Sequence, residues 1–256
     1  MKLHHRLDGP AGAPVLALPS SLGTSIDLWA VNVPHWSDSF RVLRYDQRGH
    51  GGSDTPPGPY SIEDLAGDFL ELLDDLGIGR VSFCGLSLGG APGMWLAAHA
   101  PERIDRLVLA CTSARFGDPE PWLERAALVR RRGLEAVADG ALGRWFTARF
   151  AAAHPEVVSR FRALLLATAP EGYAGCCEAL ARWDFRDHLT EIRTPTLVLA
   201  AAEDQSTPPD HAELIVRRIR HAKVVGLPDA AHLANVEQAK AFATLVGEHL
   251  APVEVP

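Results

Sequence analysis

The sequence predicts an α/β protein: a mostly parallel central sheet covered by helices on both faces, with an inserted helical lid. Three observations carry this. Short apolar runs alternate along the chain with stretches of helical period, the pattern of strands joined by crossover helices. One interval, from about Pro119 to Leu189, holds helical pattern and no strand. A single serine stands between glycines at a strand-to-helix junction, in Gly85-Leu86-Ser87-Leu88-Gly89. At 256 residues the chain suits one such domain and can bury a large core. The expected organisation is a core of residues 1–118 and 190–256 with a helical cap of residues 119–189 between them.

The elements follow in order. "VLALP" (15–19) and "RVLRYD" (41–46) read as the first buried strands, and the loop between them, "SSLGT", leads into the helical pattern "SIDLWAVNV". "SIEDLAGDFLELLDDLG" reads as an amphipathic helix that starts at the N-cap Ser61, has Asp64 three residues on and stops at Gly77. "VSFCG" (81–85) is the next strand and "LGGAPGMWLAAHA" the helix after it. Pro92, in the first turns of that helix, removes a donor and is expected to bend it. "RLVLAC" (106–111) closes the first half. The cap carries "PWLERAALVRRRG", "LGRWFTARF" and "EGYAGCCEALARW"; strands "TLVLAA" (196–201) and "AKVVGL" (222–227) and a last helix complete the core.

Composition excludes several classes. Hydrophobic residues at 47% and charged residues at 22% are ordinary for a globular protein. A net charge of -7 leaves no basic footprint for nucleic acid or an anionic membrane, and "VRRRG" (129–133) reads as a solvated helix face. Cys84, Cys111, Cys176 and Cys177 have neither the spacing of a zinc site nor that of a disulfide framework. "MKLHHRLDGPAG" lacks the apolar core of a signal peptide, and no apolar run reaches membrane length. These features predict a reduced, cytoplasmic protein with no metal.

Ser87 poses the chemical question. A tight strand-to-helix turn strains the serine backbone and brings neighbouring backbone close, which explains flanking glycines, and it lifts the hydroxyl out beside unpaired N–H groups. The alternative is a serine that merely caps a helix. A nucleophilic hydroxyl needs a base, and the base needs a group that holds its tautomer. With such a turn the expected order is Ser, then an acid, then His, each partner in a loop after a strand. "TLVLAAAEDQSTPP" supplies Asp204, with Glu203 and the more distant Asp210 as competitors; "GLPDAAHLANVEQ" supplies His232, with Asp229 read as a turn residue. An oxyanion requires two backbone donors, for which Leu88 N–H and Ser21 N–H are the candidates.

With these residues placed, the sequence resembles the α/β-hydrolase fold superfamily and, within it, the 3-oxoadipate enol-lactonases, over nearly the whole chain. The wider resemblance rests on "YDQRGHGGSD" (45–54), "GLSLGG" (85–90), Asp204 and His232. The narrower one rests on "SSLGT" (20–24), "GPYSIEDLAGD" (58–68), "HAPERIDRLVLACTSARFG" (99–117), "RWFT" (144–147), "GYAGCC" (172–177) and "AAHLANVEQ" (230–238). The chain departs from the family's pattern in reading "PSSLG" for "SNSLG" and "GLSLGG" for "GLSMGG". "KLHHRLDG" matches the family's second strand, which leaves the usual first edge strand without a counterpart.

The resemblance implies hydrolysis of a small anionic lactone, 3-oxoadipate enol-lactone, in aromatic-acid breakdown, with no cofactor. A substrate carboxylate calls for a fixed cation, which makes Arg144 the candidate clamp, Trp145 the ring wall and Arg115 the next choice. Arg144 and Trp145 read equally as a surface arginine and a tryptophan that packs the lid. Other readings are a carboxylesterase or cofactor-free perhydrolase with the same triad, or a receptor of this fold without catalysis.

Overall fold

The computed structural model describes residues 1–251; the last five residues of the expected core, 252–256, lie outside the described residues. Strands β1 (His5–Asp8), β2 (Val15–Pro19), β3 (Arg41–Tyr45), β4 (Val81–Leu86), β5 (Ile104–Ala110), β6 (Thr196–Ala201) and β7 (Lys223–Leu227) form one sheet in the order β1-β3-β2-β4-β5-β6-β7. Only β1, from the "KLHHRLDG" segment, pairs antiparallel; it lies at the edge against β3. The other pairings are parallel. Strands β4 and β6 are buried at every residue, because helices cover both faces, and so they read as unbroken apolar runs.

Helix α1 (Ile62–Asp75) begins with the expected capping box, Ser61 Oγ accepting from Asp64 N–H while Asp64 accepts from Ser61 N–H. Gly77, with φ of +64°, follows the end of the helix in a conformation that disfavours a side chain. Helix α2 (Gly90–His99) follows β4 after a single 3₁₀ turn, Ser87–Gly89. Pro92 falls in the first turn of α2, where an N–H has no partner within the helix, so it removes no bond of that helix.

Five helices lie between β5 and β6: α3 (Pro119–Arg132), α4 (Glu135–Trp145), α5 (Ala148–Ala153), α6 (Pro155–Ala167) and α7 (Pro170–Arg182). The core resumes with α8 (Pro209–Arg218), the short α9 (Ala234–Glu237) and α10 (Ala239–Leu250). Successive strand residues point to opposite faces. Ala17, Leu43 and Phe83 share a cluster with residues of α1, α2 and α8. Leu16, Val42 and Cys84 share the other with α10 and the helices after β5.

Two segments differ from the sequence pattern. "LGRWFTARF" is not one helix: the chain is extended at Phe146, and Thr147 Oγ1 accepts the Phe150 N–H at 3.1 Å to cap α5. A hydroxyl that can cap competes with helix continuation. "SIDLWAVNV" forms two separate 3₁₀ turns, Ile26–Trp29 and Val33–His35, with Pro34 inside the second. Arg130, Arg131 and Arg132 are exposed, as expected of 129–133, and Arg130 also bridges α3 to Glu171 and Glu178 of α7.

Helix α7 docks on a loop at the carboxyl edge of the sheet through close backbone. A β-carbon at Gly172 of α7 would meet the backbone of Gly49, and one at Gly49 would meet Gly172, so "GYAGCC" lies directly on the "RGHG" loop. The break between α4 and α5 is tied to the loop before α9. Trp145 O accepts from Leu233 N–H at 2.9 Å, and the Glu237 carboxylate accepts from Thr147 N–H at 2.6 Å and Ala231 N–H at 2.8 Å.

Candidate active site

Ser87 has φ of +55°, in the left-handed region that a side chain rarely enters. The surrounding glycines show what the turn demands. A β-carbon at Gly85 would strike the Gly89 carbonyl oxygen, one at Gly89 would lie 3.0 Å from Pro19 Cγ, and one at Gly90 would lie 2.6 Å from Thr112 Oγ1. Thr112 Oγ1 also donates to Ser87 O at 2.7 Å, which pins the strained peptide from the end of β5. The strain therefore rests on contacts from three strands.

Asp204 and His232 are both buried, and His232 Nδ1 lies 2.8 Å from Asp204 Oδ2. Asp204 is held in turn by Ser206 N–H at 2.7 Å, Thr207 N–H at 3.0 Å and the Thr207 hydroxyl at 2.8 Å. Burial pushes this carboxyl up, but the adjacent His232 and the Thr207 donors outweigh it and hold it below the usual aspartate range. An ionised carboxylate only accepts, so Nδ1 carries the imidazole proton and Nε2 keeps its lone pair. His232 and Ser87 line the same cleft. A hydroxyl, a base in a fixed tautomer and an ionised orienting acid are the parts of an acyl-transfer site.

The competing acids lie elsewhere. Glu203 points outward and meets Arg149 at 3.6 Å, Asp229 meets the same arginine at 3.3 Å, and Asp210 opens α8. Asp229 has φ of +55°, as a turn residue can.

The loop after β2 requires a correction. Ser21 N–H, the expected second oxyanion donor, donates instead to Thr24 Oγ1 at 2.8 Å. Gly23 N–H is also taken, by His50 Nε2 at 2.9 Å. Among the described residues, Leu22 N–H between them makes no bond within the protein, and Leu22 lines the cleft. Leu88 stands at the helix-starting turn beside Ser87, where a backbone donor has no helical partner. Leu22 N–H is thus the candidate donor of this loop, one residue from the one the sequence suggested, because a backbone donor carries no side-chain signature; the Ser-x-x-Thr spacing was the available clue.

The helices between β5 and β6 contribute Arg144, Trp145 and Arg125 to the wall of the cleft. Trp145 lines the cleft and also packs edge-on against Phe161 of α6, so it both walls the cleft and joins α4 to α6. Arg144 and Arg125 are half-buried, and among the described residues neither has a carboxylate within ion-pair distance. Burial, then the charge of Arg125, lowers the Arg144 guanidinium from its ordinary value. Arg125 lies 4.8 Å over the Trp122 ring, on α3. Nothing in the sequence marked Arg125, since the triple arginine one turn further on was the stronger feature. Arg115 is not in this cleft; it pairs with Asp118 at 3.0 Å.

The Ser87 turn, the Asp204–His232 pair and the sheet order define one class of protein. The chain belongs to the family of the α/β-hydrolase fold, whose profile matches residues 14–239. More particularly, it is 42% identical over 240 residues to 3-oxoadipate enol-lactonase 2 of Acinetobacter baylyi, covering 94% of this chain and 90% of that protein. It superposes on the enol-lactonase of Burkholderia xenovorans with a TM-score of 0.95 and 44% identity, covering 97% and 96% of the two chains. A thermophilic esterase from Thermogutta terrifontis, solved with malate bound, gives a TM-score of 0.91 at 32% identity, with 97% and 92% covered.

Proposed function

We propose that this chain hydrolyses 3-oxoadipate enol-lactone to 3-oxoadipate through an acyl-enzyme on Ser87, as a step of aromatic-compound breakdown. The observation that carries the reading is a pair of half-buried arginines that, among the described residues, have no carboxylate partner, in the wall of a serine-histidine-aspartate cleft. Half-buried cations without a paired acid fit a ligand that brings its own carboxylate. Similarity to two enol-lactonases supports the same substrate.

In this mechanism the Ser87 hydroxyl gives its proton to His232 Nε2 as Oγ attacks the lactone carbonyl. Asp204 stabilises the imidazolium that forms. The oxyanion takes hydrogen bonds from Leu88 N–H and Leu22 N–H. The ring C–O bond breaks, the ring oxygen receives the proton from His232, and the resulting enol becomes a ketone. Water then attacks the ester on Ser87, giving its proton to His232, and the collapse of the second tetrahedral intermediate returns a proton to Oγ. Every step uses groups of the chain, the substrate and water.

Residues 119–189 form the cap in this reading and the remainder of the chain the core. All four cysteines are buried and unpaired, which supports a reducing, cytoplasmic setting. Among the described residues no helix is long and apolar enough to cross a membrane.

Loss of enol-lactone ultraviolet absorbance on addition of purified protein tests the activity. Turnover with a saturable rate is expected. An unchanged lactone signal alongside rapid labelling of Ser87 by a phosphonate would mean another ester substrate, and equilibrium ligand binding without labelling would mean a receptor.

The arginines carry a separate prediction. Arg144→Leu and Arg125→Leu should each remove a charge-assisted contact worth about 1.5–3 kcal/mol, or about 10- to 150-fold in kcat/KM for the lactone. A small neutral ester has no carboxylate to lose. Its hydrolysis by either variant should stay within a few-fold of wild type, and equal losses on both substrates would show that the arginine supports the cap.

A further inference from the structure

We propose that Thr24 is a positioning residue of the oxyanion hole: its hydroxyl clamps Ser21 from both sides and so aims the Leu22 N–H into the cleft. The inference deepens the functional reading above and rests on its assignment of Leu22 N–H as an oxyanion donor. It begins from three bonds around one residue, Ser21. Thr24 Oγ1 accepts from Ser21 N–H at 2.8 Å, donates to Ser21 O at 2.9 Å, and Thr24 N–H donates to the same carbonyl at 3.0 Å. A hydroxyl has one proton and two lone pairs, so it can fill both roles at once.

The consequence lies in the peptide plane. Ser21 C=O and Leu22 N–H belong to one trans peptide and point in opposite directions. Two donors that hold the carbonyl therefore hold the N–H, which among the described residues has no partner. The flanking donors cannot replace it. Ser21 N–H is spent on Thr24, and Gly23 N–H is spent on His50 Nε2, an acceptor that is fixed because His50 Nδ1 faces Arg48 O at 3.2 Å. The next anchor back is Ser20, whose hydroxyl accepts from Gln47 N–H at 3.0 Å and whose N–H donates to Tyr45 O at 2.8 Å. Thr24 itself is almost fully buried, with 1% of its surface exposed, so solvent cannot supply the missing hydroxyl. A preorganised donor acts because it does not have to turn when charge develops; a loop peptide free to rotate would lose that advantage.

Thr24→Val keeps the shape and removes the hydroxyl, and Thr24→Ser keeps the hydroxyl. The two variants and the wild type are compared by kcat and KM for the lactone and for p-nitrophenyl acetate, and by the rate and half-saturation of Ser87 inactivation by an alkyl fluorophosphonate. Rates are normalised to folded protein by thermal melt and burst titration. Thr24→Val should lower kcat and the maximal inactivation rate by about 10- to 100-fold, somewhat less than outright loss of a donor, while KM and half-saturation stay within about threefold. Thr24→Ser should come within about threefold of wild type. The proposal is overturned if Thr24→Val keeps its rates, if its loss lies in KM, or if serine does not restore it. Should the valine variant not fold, Thr24→Ala replaces it under the same criteria. The two readings separate cleanly. A wild type inert to the lactone but reactive with acetate ester and phosphonate removes the substrate assignment and leaves the Thr24 comparison intact, whereas a wild type that opens the lactone beside an equally fast Thr24→Val removes Thr24 alone.

Discussion

Replacing Ser87 by alanine is expected to lower lactone turnover by at least about 10⁴-fold while the protein stays folded. The size follows from the mechanism: without the hydroxyl no acyl-enzyme can form, and the oxyanion donors and the arginines are left to act on uncatalysed attack by water. Folding should survive because the turn depends on Gly85, Gly89, Gly90 and the Thr112 bond to the Ser87 carbonyl, none of which uses the side chain. Alanine at φ of +55° meets the same backbone strain as serine. The absorbance assay measures the rate, phosphonate labelling measures the loss of the nucleophile, and a thermal melt checks the fold. A folded variant that kept more than about one hundredth of the wild-type rate would rule out Ser87 as the nucleophile.

The second large effect is expected at Asp204. Asp204→Asn should cost about 10⁴-fold in kcat, because an amide that donates to Nδ1 favours the tautomer with the proton on Nε2, where the base needs a lone pair. Glu203→Gln should change kcat by no more than a few-fold, since that side chain lies outward against Arg149. The reverse ranking would move the orienting acid to Glu203.

The same residue sets an acid limit. The Asp204 carboxyl lies below its ordinary value in the folded protein, so its ionisation favours folding. That contribution is complete above the unfolded aspartate value of about 3.9 and is lost as pH falls through the lower folded value. Acid titration of thermal stability should therefore show a smaller decline across this window in Asp204→Asn than in wild type.

Much of this architecture was legible because local rules and tertiary packing agree. The strands β2 and β6 end where their apolar runs end, and α1 starts at the Ser61 capping box, since each of those signals is read by the residues next to it. The break at Phe146–Thr147 was not legible in this way. Its helical period continues through the sequence, and the chain turns there because Glu237 and Leu233, some ninety residues on, take up the freed backbone groups.

The candidate site divides along the same line. The sequence by itself determined Ser87, since a glycine-flanked serine between a strand and a helix is a local pattern, and it narrowed the acid and the base to loops after named strands. Tertiary structure decided between Asp204 and Glu203, because adjacent residues in a turn point opposite ways and only burial beside His232 distinguishes them. It also showed Ser21 N–H spent on Thr24 Oγ1 and Leu22 N–H without a partner among the described residues, and it placed Arg125 in the cleft. A backbone N–H has no identity in sequence, and the burial and the neighbours of an arginine are set by the fold. Both are properties of what surrounds a group in space.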